Sequence, residues 1–140
     1  MDVIYNSFKR DIMNGSIDLD TDTIKLALVT STYTPDQDAH DNFDDITNEV
    51  AAGGGYTAGG ETLANKAVTV DNTDNEGVFD ADDVTWAAST ITARGGVLYK
   101  STGTPSTSKL ICYLDFGSDK SSSSGNFTVS WAAEGILNLN

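Results

Sequence analysis

The sequence predicts a mainly β protein, an antiparallel β-sandwich or jelly roll with one short helix at the N-terminus. Three observations lead there. Short apolar segments with a period of two recur at intervals of about ten residues, as expected of sandwich strands. Gly, Ser, Asn and Asp clusters punctuate them. No helical crossover segments lie between them, which argues against a parallel α/β sheet. The 140 residues fit one domain able to bury a core without a disulfide. The expected organisation is a single domain over 1–140, with an N-terminal helical segment at 1–16 and a long irregular segment at 31–62.

In order along the chain, Ile4, Phe8 and Ile12 are spaced i, i+4 and i+8, giving one apolar face of a helix over 3–13. Asn14-Gly15 stops it, because both residues tolerate a left-handed backbone. From Thr23 the period falls to two: Ile24, Leu26 and Leu28 point one way, Lys25, Ala27 and Val29 the other. Phe43, Ile46 and Val50 predict a short helix capped by Asp41. AAGGGYTAGGETL leads to a strand at 63–70, with Ala64, Val68 and Val70 on one face and Asn65 and Ala67 on the other. DNTDNEG at 71–77 is a turn, and VFDA and DDVTWAAS follow as strands. ITARGGVLYK holds one or two short strands, and STGTPSTS turns the chain into KLICYLDFG, the central strand at 109–117. SDKSSSSG is a solvated turn, FTVSW points Phe127, Val129 and Trp131 inward, and Leu137 and Leu139 end the chain as a strand. The expected core is Leu26, Leu28, Trp86, Leu110, Cys112, Leu114, Phe127, Val129 and Trp131.

Charge narrows the function. There are 21 acidic residues against 8 Lys and Arg, net −13. A nucleic-acid binder needs a cationic footprint, so nucleic acid is not an expected partner. An anionic membrane would repel the chain, and no run of 18 apolar residues exists to span one. MDVIYNSFKRD lacks the pattern of a signal peptide. The lone Cys112 allows no internal disulfide and no cysteine zinc site; inside its strand it is expected to be a buried, inert thiol.

Motifs that suggest chemistry fail on detail. Asp18, Asp20 and Asp22 alternate like the start of a calcium loop. That loop needs Gly at position 6 and Glu at 12, where this chain has Thr23 and Val29. The three acids are read as a hydrated turn before a strand, as are Asp71, Asp74 and Glu76, and Asp80, Asp82 and Asp83. GGGYTA at 53–58 and Gly55–Gly60 mimic phosphate loops, but Gly59 and Gly60 spoil the following helix and Glu61 stands where a lysine is needed. His40, between Asp38 and Asp41, reads as a surface histidine, and no serine sits in a nucleophile elbow. No pair of carboxylates is singled out for glycoside hydrolysis. The expectation is a binding or structural module, with no enzyme activity, cofactor or metal.

Resemblance supplies a role. YNSFKRDIMNGSIDLDTDTIKLALVTSTYTPDQDAHDNFDDI, GGGYTAGGETLANKAVTV, VFDADDVTWAASTITARGGVLYK and LICYLDFGSDKSSSSGNFTVSWAAEGIL cover nearly the whole chain. Together the segments resemble small virion structural proteins of tailed bacteriophages, and most of all the head decoration, or cementing, proteins. The resemblance implies a β-sandwich on the outer capsid surface of the virion. Its partners would be the major capsid protein and other copies of itself, as a homodimer or homotrimer. The alternative is a tail or baseplate protein with a receptor- or carbohydrate-binding role. Candidate contact residues are Tyr33, Phe43 and Tyr56 in the 31–62 segment, and Ile4, Tyr5 and Phe8 at the N-terminus. The competing reading is that the three aromatics pin 31–62 onto their own domain.

Overall fold

The computed structural model describes residues 1–140. The protein is mainly β with antiparallel sheets, consistent with a β-sandwich, and has one short helix near the N-terminus. The strands are β1 (Val3–Ile4), β2 (Ile24–Val29), β3 (Glu61–Thr62), β4 (Ala67–Asp71), β5 (Glu76–Asp80), β6 (Val84–Ser89), β7 (Thr92–Lys100), β8 (Lys109–Ser121), β9 (Gly125–Val129) and β10 (Leu137–Leu139); helix α1 is Asn6–Met13. They form a five-stranded sheet β1-β8-β7-β2-β3, a three-stranded sheet β10-β5-β4 and a two-stranded sheet β6-β9.

The five-stranded sheet is covered on both faces. Ile24, Leu26 and Leu28 face a core shared with Leu98, Cys112, Phe79 and the inward residues Val84, Trp86, Phe127 and Val129 of the β6-β9 layer. Ala27, Val29, Val97, Tyr99, Leu110 and Tyr113 form a second cluster with Tyr5 and Tyr33. Double-sided burial explains why β2 reads as a near-continuous apolar run.

The second face is covered by irregular chain. Tyr33 packs into that cluster and Phe43 stacks on Tyr99 with ring centroids 4.1 Å apart. Backbone bonds fix the segment: Thr30 N–H donates to Asn48 O at 2.9 Å, Phe43 N–H to Ser108 O at 2.8 Å, and Asn6 N–H to Gln37 O at 3.1 Å. A loop that lies on a sheet must satisfy its polar groups in this way.

Several expectations are corrected. The helix starts at Asn6, because Val3 and Ile4 pair with Tyr113 and Cys112 as an edge strand. The helix expected over 43–50 is a single 3-10 turn, Phe43–Asp45, capped by Asn42 and not Asp41. Asn42 and Asp45 bond each other's backbone, and Asn48 takes a left-handed φ of 59°, which ends any helix there. The strand after the glycine-rich stretch begins at Ala67, and Ala64, Val68 and Val70 are exposed. Of the one or two short strands expected in ITARGGVLYK there is one, the nine-residue β7, with irregular pairing to β8. β8 runs on to Ser121, into the expected SDKSSSSG turn, which is confined to Ser122–Ser124. Leu114 and Trp131 are only half-buried; Trp131 lies past the end of β9. Ile17 and Leu19, not expected in the core, are buried, with the alternating Asp18 and Asp20 turned outward.

Candidate interaction surface

The six residues expected to contact a partner divide sharply. Tyr5, Phe8, Tyr33 and Tyr56 are all under 10% exposed, so they hold the domain together and offer nothing to a second protein. Phe43 is half-buried on Tyr99. Ile4 alone is exposed, on the β1 edge.

The buried tyrosines are wired to the loops they hold. Tyr5 Oη and Tyr33 Oη are 2.7 Å apart, and Tyr33 Oη lies 3.0 Å from His40 Nδ1. Asp36 N–H also points at His40 Nδ1, at 3.2 Å, so that nitrogen is the acceptor and the hydroxyls donate toward it. His40 is thus a latch on the 31–42 loop. Tyr56 Oη accepts from Leu28 N–H at 3.0 Å and donates to Glu49 Oε1 at 2.7 Å. Burial pushes the Tyr33 and Tyr99 hydroxyls up to about 12, and Tyr5 and Tyr56 higher still.

The acids before β2 make a turn held by its own side chains. Asp18 accepts from Asp20 N–H and Thr21 N–H, Asp22 accepts from Asp18 N–H, and Asp22 pairs with Lys100 Nζ at 3.0 Å. The hydrogen bonds it accepts from Thr21 and Asp20 hold the Asp18 carboxyl below the usual carboxylate range. The glycine-rich stretch is likewise explained by packing. A Cβ on Gly55 would lie 2.9 Å from Ser89 Cβ, beside the irregularity in β6 where Ala88 has a φ of 49°. The glycines allow a turn to lie flat on that strand.

The largest exposed apolar residues within a sheet are Val68, Val70 and Leu139, at 53%, 76% and 75%. Register puts them together. Val68 and Leu137 oppose Phe79, and Val70 and Leu139 oppose Gly77, so all lie on one face of the three-stranded sheet. Phe79 carries that face into the core. Beyond it the face overhangs the domain, with Gly77 leaving a flat floor between Val70 and Leu139. The alternation puts both valines on one face but does not say whether that face is covered.

Compared with family models, with curated proteins and with solved structures, the chain matches none. The surface must therefore be read from its own chemistry.

A second feature is a cleft of about 630 Å³ between the end of β8, β9 and the 130–136 loop. Half-buried Phe116, Trp131 and Ile136 line it, with Asp2, Lys120 and Asn126 among the polar groups at its walls. Trp131 is held in place, its Nε1–H donating to Asp82 O at 2.9 Å and its backbone N–H to Asp83 Oδ1 at 3.0 Å. No helix is long and apolar enough to cross a membrane.

Proposed function

We propose that this chain is a virion structural protein of a tailed bacteriophage that decorates the outer capsid surface and cements it by bridging major capsid protein subunits. The sequence resemblance supplies the role. The observation that carries it to a surface is the overhanging face of Val68, Val70 and Leu139, large apolar side chains left in water on an ordered sheet. Covering each of them is worth about 1–2 kcal/mol, given how much of each is exposed. A stable protein interface covers about 1,600 Å² in total, so this face is its centre and not its whole extent. Each copy buries that face across a junction between shell subunits. A ligand that binds only the assembled shell stabilises it by mass action, and many identical copies add their effects. The net charge of −13 keeps the protein from competing for packaged DNA.

The test is occupancy on shells of the phage that encodes it, with wild type and Val68→Asp/Val70→Asp compared. Hundreds of wild-type copies per particle, and a large loss in the variant, support the reading. A handful of copies argues for the tail or baseplate, and equal occupancy of the variant sinks the role of this face.

The Trp131 cleft favours a second reading, receptor or carbohydrate binding. It has the size of a ligand site, and its aromatic walls suit the apolar face of a sugar. A glycan screen with Trp131→Ala as control tests it; binding lost in the variant supports it, and no binding by wild type ends it.

A further inference from the structure

We propose that β4 is a dimerisation edge: two copies pair their Ala67–Asp71 strands antiparallel about a two-fold axis through Thr69, joining two three-stranded sheets into one of six. This is a property of the free protein and stands whether or not the shell reading holds.

β4 lies at the end of its sheet, and its far side makes no backbone hydrogen bond to any other segment. Exposed strand edges are usually guarded by a charge, a proline or a bulge within the strand. Within β4 the one charge is Asp71 at its last position; Ala67–Val70 carries no charge, proline or bulge, and the register with β5 is unbroken. The other single-sheet edges differ. β1 and β3 are two residues long, and β10 three. β6 is interrupted after Trp86, and the neighbours of Phe127 on the exposed face of β9 are polar Asn126 and Thr128.

The occupant is argued from symmetry and charge. In a two-fold antiparallel pair centred on Thr69, Val68 of each copy stands opposite Val70 of the other on the same face. Four valines then form one continuous row, flanked by the two Leu139 side chains. The same arrangement brings the start of each β4 beside the end of the other. At the start is Lys66, which makes no ion pair within its own chain; at the end is the acidic turn with Asp71, Asp74 and Glu76. Antiparallel self-pairing therefore sets cation against anions at both ends, while parallel pairing would set like against like. Repulsion between two chains of net charge −13 is a long-range term, screened beyond about 8 Å at physiological ionic strength. The contacts at the edge are shorter than that.

The full chain should sediment as a concentration-dependent dimer, and hydrogen exchange should show β4 amides protected in the dimer and not at dilution. Thr69→Glu sets two carboxylates against each other at the axis and should weaken the dimer about tenfold or more, with the thermal midpoint of the monomer as a check on folding. Lys66→Glu reverses the complementarity at both ends, and Asp74→Lys reduces it there, leaving Asp71 and Glu76. Each alone should weaken self-pairing. A mixture of the two should recover a dimer. In the mixed pair the two substituted side chains meet at one end with opposite charges, and the native Asp74 and Lys66 meet at the other. A wild type that stays monomeric, a trimer or larger ring, Thr69→Glu dimerising as wild type does, or a mixture no tighter than its parts would each overturn the proposal.

Discussion

The Tyr56 hydroxyl takes the place of a missing strand beside Leu28. β3 pairs with β2 only at Lys25 and Leu26, so the Leu28 N–H on that edge has no strand partner. Tyr56 Oη accepts from it at 3.0 Å, while Val50 N–H donates to Leu28 O at 2.9 Å. A side chain and a loop thus finish a sheet edge that lies at the centre of the core. Tyr56→Phe keeps the ring and removes the acceptor, leaving a buried N–H unsatisfied and Glu49 with only the Gly59 N–H as donor. Unfolding in denaturant should show a loss of about 1–3 kcal/mol. An unchanged midpoint would mean that water replaces the hydroxyl.

Gly60 closes the same edge from the other side. Its φ is +77°, and a Cβ there would lie 1.8 Å from Leu26 O. Both the backbone conformation and the space forbid a side chain, and the obstacle is backbone that cannot turn away. Gly60→Ala should cost at least about 2 kcal/mol, more than an ordinary surface substitution. Gly103, with a φ of +85° and nothing within 4 Å, is the control: Ala there meets only backbone strain and should cost less.

These two residues also mark what can be read in advance. The period of two finds β6 and β9, which bury one face, and β2 and β8, which bury both; in β10 it marks a shared face that leaves Leu139 in water. The aromatic residues between strands are visible, and so is the choice between partner contact and self-pinning. The choice itself is not, since a tyrosine aimed at its own sheet looks the same in sequence as one aimed at a neighbour. Val68 and Val70 illustrate the converse. Alternation tells that they share a face, but whether that face is covered depends on where β10 and the core end, which is a tertiary fact. The glycines of 53–60 read as a flexible approach; their cause is close approach to Ser89 and Leu26, which no local pattern encodes.

The tyrosines should make the protein sensitive to alkali. All five have hydroxyl pKa values raised mainly by burial, with neighbouring tyrosines or carboxylates adding to it in each. A raised folded value means the unfolded chain gives up its protons first. The resulting stability is fully present below the ordinary tyrosine value of about 10 and is lost as pH rises from there, through about 12 for Tyr33 and Tyr99. Absorbance at the phenolate band should therefore stay flat past the ordinary value, then rise in one step that coincides with loss of β-sheet circular dichroism. Gradual ionisation with the fold intact would show that the hydroxyls are not held as described.

At the acid end the corresponding group is Asp11, which ties α1 to β8. Its carboxylate is almost fully buried, with Oδ1 at 2.9 Å from Arg10 Nε and Oδ2 at 3.4 Å from Lys109 Nζ. Burial alone would raise its pKa; the hydrogen bond from Arg10 and the charge of Lys109 outweigh it and leave the carboxyl below its ordinary value. A lowered folded value means the unfolded chain binds the proton first. The stability is present above the ordinary carboxylate range of about 4 and is lost as pH falls below it. Asp11→Ala should cost about 1–3 kcal/mol at neutral pH by removing the acceptor from both cations, which keep some access to water. Asp11→Asn should recover part of that loss while flattening the fall in stability below about pH 4, because nothing at the position then titrates. Parallel acid limbs in wild type and Asp11→Asn would assign acid unfolding to other carboxylates.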